Sequence, residues 1–146
     1  MLIPHGTLIL AVDGGHLRVL RNHGSDAAPA LELLREQKLK NPASHVLEED
    51  SPGRSFSSVG PGRSAFEAPD LHQRREDRFG HEAAELIASL AGEDLPVILI
   101  APPRMLGQLR YERDPKFEHR IIAEINKDYA QRSPADILDM LRDYQS

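Results

Sequence analysis

Two continuous apolar runs constrain this chain more than any other feature. Thr7–Val12 (TLILAV) and Pro96–Ala101 (PVILIA) have the length of β-strands, and neither alternates with polar residues. A strand without a polar face is typical of a sheet covered on both sides, because a half-exposed strand alternates. The second run is also flanked by prolines, and we place it in the middle of a sheet. The runs predict a layered fold built around that sheet.

The first run begins a β-hairpin. Asp13-Gly14-Gly15 follows it with turn-forming residues, and His16–Arg21 then alternates, with Arg18 and Arg21 available to solvent or a ligand. The next segment, Ala30–Leu39, is ambiguous. Its propensities favour a helix, whereas its leucines also fit the period of a strand, so the residues alone leave both open.

The second half of the chain contains apolar residues at helical spacing. Apolar residues recur every three or four positions in Asp70–Ala91, and Gly92 follows where a C-terminal cap belongs. Pro102-Pro103 begins a second helix, a short helical turn starts at Asp114-Pro115, and Arg120–Ile125 has the pattern of a strand.

The last helix has the clearest local signals. Ser133 is the predicted N-cap, Pro134 takes the first helical position, and Asp136 completes a capping box. The buried stripe of this helix is predicted from its apolar spacing, at Ile137, Leu138, Leu141 and Tyr144.

Composition excludes several classes of protein. A chain of 146 residues is one domain by the usual scaling, and its net charge of −5 means that nucleic-acid binding would need a local basic surface. The absence of cysteine excludes disulfides and thiol catalysis. No apolar run reaches membrane-spanning length, and Met1–Gly6 lacks the start of a leader, so we expect a soluble cytoplasmic protein without a membrane role.

One short phrase occurs twice in the middle of the chain. Pro52-Gly53-Arg54-Ser55 is followed by Pro61-Gly62-Arg63-Ser64. Glycine gives backbone freedom and proline prevents regular ladders, so we expect a mobile, locally cationic loop at about residues 50–70. The loop is either a plain connection or a carrier of arginines to an anionic partner.

Several charged residues have two interpretations. Asp13 could be a metal-binding carboxylate of a nuclease, with partners from Glu48, Glu49, Asp50 or Asp128, or it could simply start the Gly-Gly turn. The sequence from His81 to Glu85 lacks the final histidine of a zinc motif and indicates a solvated helix face. We expect no cofactor and no resident metal.

A basic group begins the first predicted helix. Arg74, Arg75 and Arg78 share one helical side, although Glu76 and Asp77 stand between them. The mixed signs indicate either a solvated face with local ion pairs or an extension of the basic loop.

Several phrases, in order along nearly the whole chain, resemble the bacterial host attachment protein family, which is similar to the middle, catalytic domain of archaeal and eukaryotic peptide release factors. The phrases are Val12-Asp13-Gly14-Gly15, Asp50–Phe56, Gly62-Arg63-Ser64-Ala65, Leu99–Gly107, and Asn126-Lys127-Asp128 with Ser133-Pro134-Ala135. The resemblance implies a single α/β domain with a mixed sheet in β-β-β-α-β-α-β-α order, ribonuclease H-like or release-factor-like. It also favours a strand at Ala30–Leu39.

The resemblance places Pro61-Gly62-Arg63 where release factors carry a catalytic Gly-Gly-Gln. Proline removes an amide donor, and a guanidinium cannot accept a hydrogen bond from water as an amide oxygen can. Phosphate contact is favoured instead. We therefore expect binding rather than catalysis, with Gly62, Arg63 and Asp13 as the weak catalytic candidates.

The resulting hypothesis is a non-enzymatic module that binds the ribosome or a tRNA. The predicted RNA-binding residues are Arg54, Ser55, Arg63, Ser64, Arg74, Arg75 and Arg78. The alternatives are a hydrolase of peptidyl-tRNA or RNA, and a protein-interaction factor in attachment to host cells. Paired acidic and basic stretches would also allow a homodimer.

Overall fold

The computed structural model describes residues 1–38, 61–92 and 94–144, with only the backbone described for residues 61–73 and Lys116. Within these ranges the chain forms five strands and four helices. The elements in chain order are β1 Leu8–Val12, β2 His16–Asn22, β3 Leu31–Lys38, α1 Pro61–Ala91, β4 Val97–Ala101, α2 Pro103–Glu112, α3 Pro115–Glu118, β5 Ile121–Asn126 and α4 Pro134–Asp143.

The strands form one mixed sheet in the order β3-β2-β1-β4-β5. Strand β2 is antiparallel to both β1 and β3, whereas β1 pairs with β4, and β4 with β5, in parallel. A single α/β domain with a mixed sheet is thus confirmed, and the ambiguous segment is a strand. The described order adds the four-residue helix α3 to the predicted order. The ribonuclease H-like assignment remains a prediction.

Alternate residues of the two central strands face different cores. Leu8 and Leu10 pack with α1 and α2 on one face, while Ile9 packs with α4 on the other. In β4, Leu99 and Ile100 divide in the same way. This is why neither run alternates with polar residues: both of their faces are covered.

Helix α1 begins earlier than the sequence predicted. We expected the helix from Asp70, but it begins at Pro61, where the fixed φ of proline suits a first turn. The expected loop is therefore wrong for residues 61–70, and residues 50–60 lie outside the described residues. Among the side chains of α1 that are described, the buried ones begin at Phe79. Residues 61–70 have no sustained apolar spacing and contain Pro61, Gly62 and Pro69, so the sequence pattern could not reveal this start.

The ends of the helices follow the predicted chemistry. Gly92 has a φ of 62°, the left-handed conformation expected of a helix cap. The hydroxyl oxygen of Ser133 accepts a hydrogen bond from the backbone N–H of Asp136 at 3.1 Å. Ile137 and Leu141 are fully buried, which confirms the centre of the predicted stripe. Among the described residues, no helix is long and apolar enough to cross a bilayer.

Helices α1 and α2 are in close contact at Gly80. An ideal Cβ atom there would lie 2.7 Å from Gln108 Cγ and 3.1 Å from Met105 Sδ, and both of these atoms belong to α2. These distances are shorter than van der Waals contact. A larger residue at position 80 would therefore displace the side chains of Gln108 and Met105 where the two helices meet.

A larger side chain at Gly80 is expected to separate the helices. We expect Gly80→Leu to lower the free energy of unfolding by about 1–3 kcal/mol, because overpacking displaces both backbones. Urea unfolding would measure the loss. Gly107→Ala is the control, since no atom lies within 4 Å of its added Cβ. Equal stability of Gly80→Leu and wild type would contradict the close approach.

Candidate functional site

The carboxyl ends of the three parallel strands meet at one edge of the sheet. Strands β1, β4 and β5 are followed there by Asp13, Pro102 and Lys127. Ligands of open α/β sheets bind at this edge, where neighbouring strands connect to opposite sides. Here that point lies between β1 and β4, since β1 continues to β2 and β4 leads to β5.

Asp13 organises the turn at this edge. Its Oδ1 atom accepts hydrogen bonds from the backbone N–H groups of Gly15 and His16, each at 2.7 Å, and lies 3.3 Å from His16 Nδ1. Its Oδ2 atom accepts from Gln131 Nε2 at 3.3 Å. Asp13 is buried, so its carboxylate ties the hairpin to the loop before α4.

The structure favours the turn interpretation of Asp13 over the metal interpretation. Asp128 is exposed, while Glu48, Glu49 and Asp50 lie outside the described residues. Within the described ranges, no group of three or more histidine, aspartate or glutamate side chains could hold a metal ion. A metal-dependent nuclease at Asp13 has no support from these residues.

Two shallow clefts flank the Asp13 turn. The first has a volume of about 130 Å³, lies between α1 and α2, and is lined by Gly14, Glu76, Asp77, Pro102, Arg104, Met105 and Gln108. The second has a volume of about 140 Å³, and its lining includes His16, Arg18, Lys38 and Gln131. Small-molecule sites usually have about 300–1,000 Å³. Both clefts therefore fit a single chemical group better than a complete small ligand.

Arg18 is held within the protein. Its Nε atom donates to Glu36 at 3.1 Å, and its Nη1 atom donates to the carbonyl oxygen of Arg132. Only 20% of its side chain is exposed. The expectation that Arg18 is available to a ligand is therefore wrong.

The predicted arginines of α1 divide into two groups. Arg74 and Arg78 are exposed one turn apart, while Arg75 is half-buried and makes an interaction within the protein. Glu76 lies over the hairpin turn, since an ideal Cβ atom at Gly14 would be 3.2 Å from its carboxylate. This contact fixes the rotation of α1 and leaves Arg74 and Arg78 on its outer side.

The remaining predicted residues lie before this pair. Gly62, Arg63 and Ser64 belong to the first turn of α1, and Arg54 and Ser55 lie outside the described residues. Position 63 precedes position 74 by eleven residues, which at 3.6 residues per turn is about 20° more than three turns. The helix thus places positions 63, 74 and 78 on one stripe.

A histidine bridges α1 and α2 beside the Gly80 contact. His81 Nδ1 lies 2.8 Å from Glu112 Oε1, and its Nε2 atom lies 3.4 Å from Glu85 Oε2. The hydrogen bond with Glu112 and the charge of Glu85 raise the pKa of His81. Gln108 donates to the second oxygen of Glu112 at 2.8 Å, which orients that carboxylate.

Helix α2 is also tied to β5 by charge. Glu124 accepts hydrogen bonds from Arg113 and Arg110, the latter at 2.6 Å, and Arg113 also donates to Glu118 at 2.8 Å. Partial burial alone would raise the pKa of Glu124. The two arginines outweigh it and hold the pKa below its ordinary value of 4.5. The outer side of α2 is therefore fixed relative to the sheet.

A family model matches nearly the whole chain. It is that of bacterial archaeo-eukaryotic release factor family 12, and the match covers residues 6–141. The chain belongs to this family. The release-factor-like resemblance is thereby confirmed, whereas host attachment, ribosome association and RNA binding remain predictions.

Other known proteins add little to this assignment. The chain is similar to the ethanolamine utilization protein EutJ from Carboxydothermus hydrogenoformans, with 14% sequence identity and a TM-score of 0.38. The match covers 86% of this chain and 47% of EutJ, so the chain spans about half of that protein. A similarity this low carries no argument about function. No curated protein matches the chain.

Sequence reasoning did not single out the outer surface of α2. Arg104 and Gly107 belong to the Leu99–Gly107 phrase that carries the family resemblance, and Tyr111 follows one turn later. The available signal was their spacing: these positions lie opposite the buried Met105, Leu106 and Leu109.

Substitutions at Asp13 separate a structural from a catalytic role. We expect Asp13→Ala to lower the free energy of unfolding by about 1–3 kcal/mol, because buried N–H donors lose their acceptor. Asp13→Asn should lose less, since its amide oxygen can still accept in the turn. Thermal unfolding would measure both. A stable Asp13→Ala variant would contradict the assignment to the turn.

Substitution of Glu124 is expected to change the pH dependence of stability. Glu124→Gln should lower the free energy of unfolding at neutral pH by about 1–3 kcal/mol, because Arg113 loses a charged acceptor. The depressed folded pKa means that this contribution is present above the unfolded value and disappears as the pH falls through the folded pKa. Urea unfolding should show the two proteins converging below pH 4.5.

Glu118→Gln is the matched control for this experiment. Its carboxylate also pairs with Arg113, but 59% of the side chain is exposed. An exposed pair contributes little, so a change of less than about 0.5 kcal/mol is expected. A gap between Glu124→Gln and wild type that persists unchanged in acid would argue against the ion pair.

Proposed function

We propose that this protein is a non-enzymatic binding module that contacts RNA of the ribosome or of a tRNA. The contact is made by the Ser51–Ala65 segment together with the outer stripe of α1, where arginines meet phosphates. Membership of a release-factor family supports a partner in the translation machinery.

The observation that carries the proposal is the exposure of Arg74 and Arg78 on the helix that starts at Pro61-Gly62-Arg63. The ends of the stripe formed by positions 63, 74 and 78 are fifteen residues apart on α1. This separation is about 22 Å at 1.5 Å per residue. A helix side of this length can contact several phosphates of one strand. Arginine suits the task because its donors form a planar fork.

The overall charge requires such a local surface. With a net charge of −5, the protein as a whole repels a polyanion, so attraction has to come from one face. Of the acidic residues near the pair, Glu76 faces Gly14 and Asp77 interacts within the protein, whereas Glu82 is exposed one turn after Arg78 and Asp70 precedes Arg74 by one turn in the sequence.

Binding is a better account of this segment than hydrolysis. Pro61 provides no N–H donor, and the guanidinium of Arg63 cannot accept a hydrogen bond from an attacking water. The residues that the family resemblance places at the Gly-Gly-Gln position begin a helix here. The chemistry needed to place a water against an ester is therefore absent from positions 61–63.

Sedimentation with ribosomes and direct binding to tRNA test the proposal. We expect Arg54→Ala/Arg63→Ala and Arg74→Ala/Arg78→Ala each to weaken binding. Each should also lower the dependence of log K on log salt by about 0.7–0.9 for every phosphate that the variant no longer neutralises. Fluorescence anisotropy at several salt concentrations would give both quantities.

Arg35→Ala/Arg142→Ala is the matched control. It removes the same charge from two exposed positions on β3 and α4, away from the stripe. It should leave the affinity and its salt dependence almost unchanged. Equal losses for all three double variants would indicate a general charge effect, and migration of wild type away from ribosomes with no affinity for tRNA would overturn the proposal. Turnover of peptidyl-tRNA that is lost in Gly62→Ala would instead support the hydrolase.

A further inference from the structure

The exposed outer face of α2 carries arginines and a tyrosine but no carboxylate, and the packing of the fold does not require this composition. Its exposed positions are Pro103, Arg104, Gly107, Arg110 and Tyr111. No carboxylate lies among them, although aspartate and glutamate outnumber lysine and arginine by 23 to 18 in the whole chain. Arg104, Gly107 and Tyr111 follow one another at helical spacing of three and four residues and therefore form one stripe.

Tyr111 is the most exposed large hydrophobic residue among those the structure describes. Its relative exposure is 84%, compared with 74% for Leu2, 43% for Ile122 and 41% for Leu33. A single exposed ring does not form the broad apolar patch that marks a protein-docking surface. It can, however, stack on one flat partner.

Gly107 leaves open space beside this ring. No atom lies within 4 Å of the Cβ that another residue would have, and its φ is not in the left-handed region. Neither packing nor backbone conformation requires glycine here, and a glycine inside a helix costs about 1 kcal/mol relative to alanine. By contrast, a larger residue at Gly80 would displace side chains of α2.

Two arginines of this face differ in whether they form an ion pair. Arg110 is held by Glu124 at 2.6 Å, although 56% of its side chain remains exposed. Arg104 is exposed and has no ion-pair partner among the described residues. Arg104 lines the cleft that Glu76 and Asp77 also border, so the stripe of α2 lies next to the acidic side of α1, whereas Arg74 and Arg78 lie on the outer side of that helix.

We infer that the outer face of α2 binds unpaired nucleotides of RNA. Tyr111 stacks on a base, Arg104 contacts a phosphate, and Gly107 lets the strand approach the helix backbone. This inference rests on the proposed function and adds a base-stacking contact to its phosphate contacts. An exposed ring combined with guanidinium groups and no carboxylate is the chemistry used for single strands.

The test uses two fluorescent RNAs with the same stem, one a hairpin closed by an unpaired loop and one a blunt duplex without a loop. We expect wild type to prefer the looped RNA. Tyr111→Ala should weaken binding to it roughly 5- to 100-fold, the range typical of losing one stacked base, whereas Tyr111→Phe should keep its affinity because the ring is retained. The duplex should be bound equally by all three.

Gly107→Ala gives a second, independent measurement. The added methyl group should raise the thermal unfolding midpoint, since alanine is the better helix former. The same methyl group should weaken binding to the looped RNA by occupying the open space. A variant that is more stable but binds less tightly cannot be explained by damage to the fold.

The outcomes distinguish this inference from the proposed function. If Arg74→Ala/Arg78→Ala weakens binding but Tyr111→Ala does not, the proposed function stands and the α2 contact is wrong. If wild type binds neither RNA at low salt but still binds ribosomes or tRNA, the α2 contact is wrong; if it binds none of them, the proposed function itself fails. Equal losses for Tyr111→Ala and Tyr111→Phe would overturn stacking, and so would a Tyr111→Ala effect that is the same on looped and duplex RNA.

Discussion

The parallel pairing of β1 with β4 is the constraint on which the other parts of this structure depend. Both strands are buried on both faces, so helices have to cover both sides of the sheet. Since β1 and β4 run in the same direction, their carboxyl ends lie together, with the Asp13 turn and Pro102 side by side. The surface proposed for RNA is built from α1 and α2, the two helices that meet beside these strand ends.

The orientation of the two helices that form this surface is fixed by contacts at its edges. Glu76 on Gly14 fixes the rotation of α1, and Gly80 fixes its separation from α2. The His81–Glu112 and Arg113–Glu124 pairs then connect α1 to α2 and α2 to β5. The exposed arginines make few contacts within the protein, but the helices that carry them are held from both sides.

Much of this fold could be predicted from the sequence, because the burial of a strand or helix determines the pattern of its apolar residues. The apolar runs of β1 and β4, the hairpin turn and the capping box at Ser133 were each readable from local residues. Strand β3 could not be predicted from local residues, since its leucines fit the periods of both a helix and a strand. The family resemblance was needed to choose the strand. The start of α1 was missed for a related reason, because the sequence of residues 61–70 has no sustained apolar periodicity.

The candidate site was predictable only in part. Exposed arginines can be proposed from a sequence, but spacing does not say that Arg18 is held by Glu36 while Arg78 is exposed. Such differences depend on which strands become neighbours. Gly80 and Gly107 are likewise the same residue in sequence, and only the distances around them separate close packing from open space.

Because α1 is long, a small tilt at the Gly80 contact displaces the start of the helix. Nineteen residues separate Gly80 from Pro61 at the start of the helix, which is about 28 Å at 1.5 Å per residue. A tilt of about 5° at the contact would displace Pro61 by roughly 2.5 Å over that length. Small changes in how the two helices pack at Gly80 are thereby magnified at Pro61, the far end of α1.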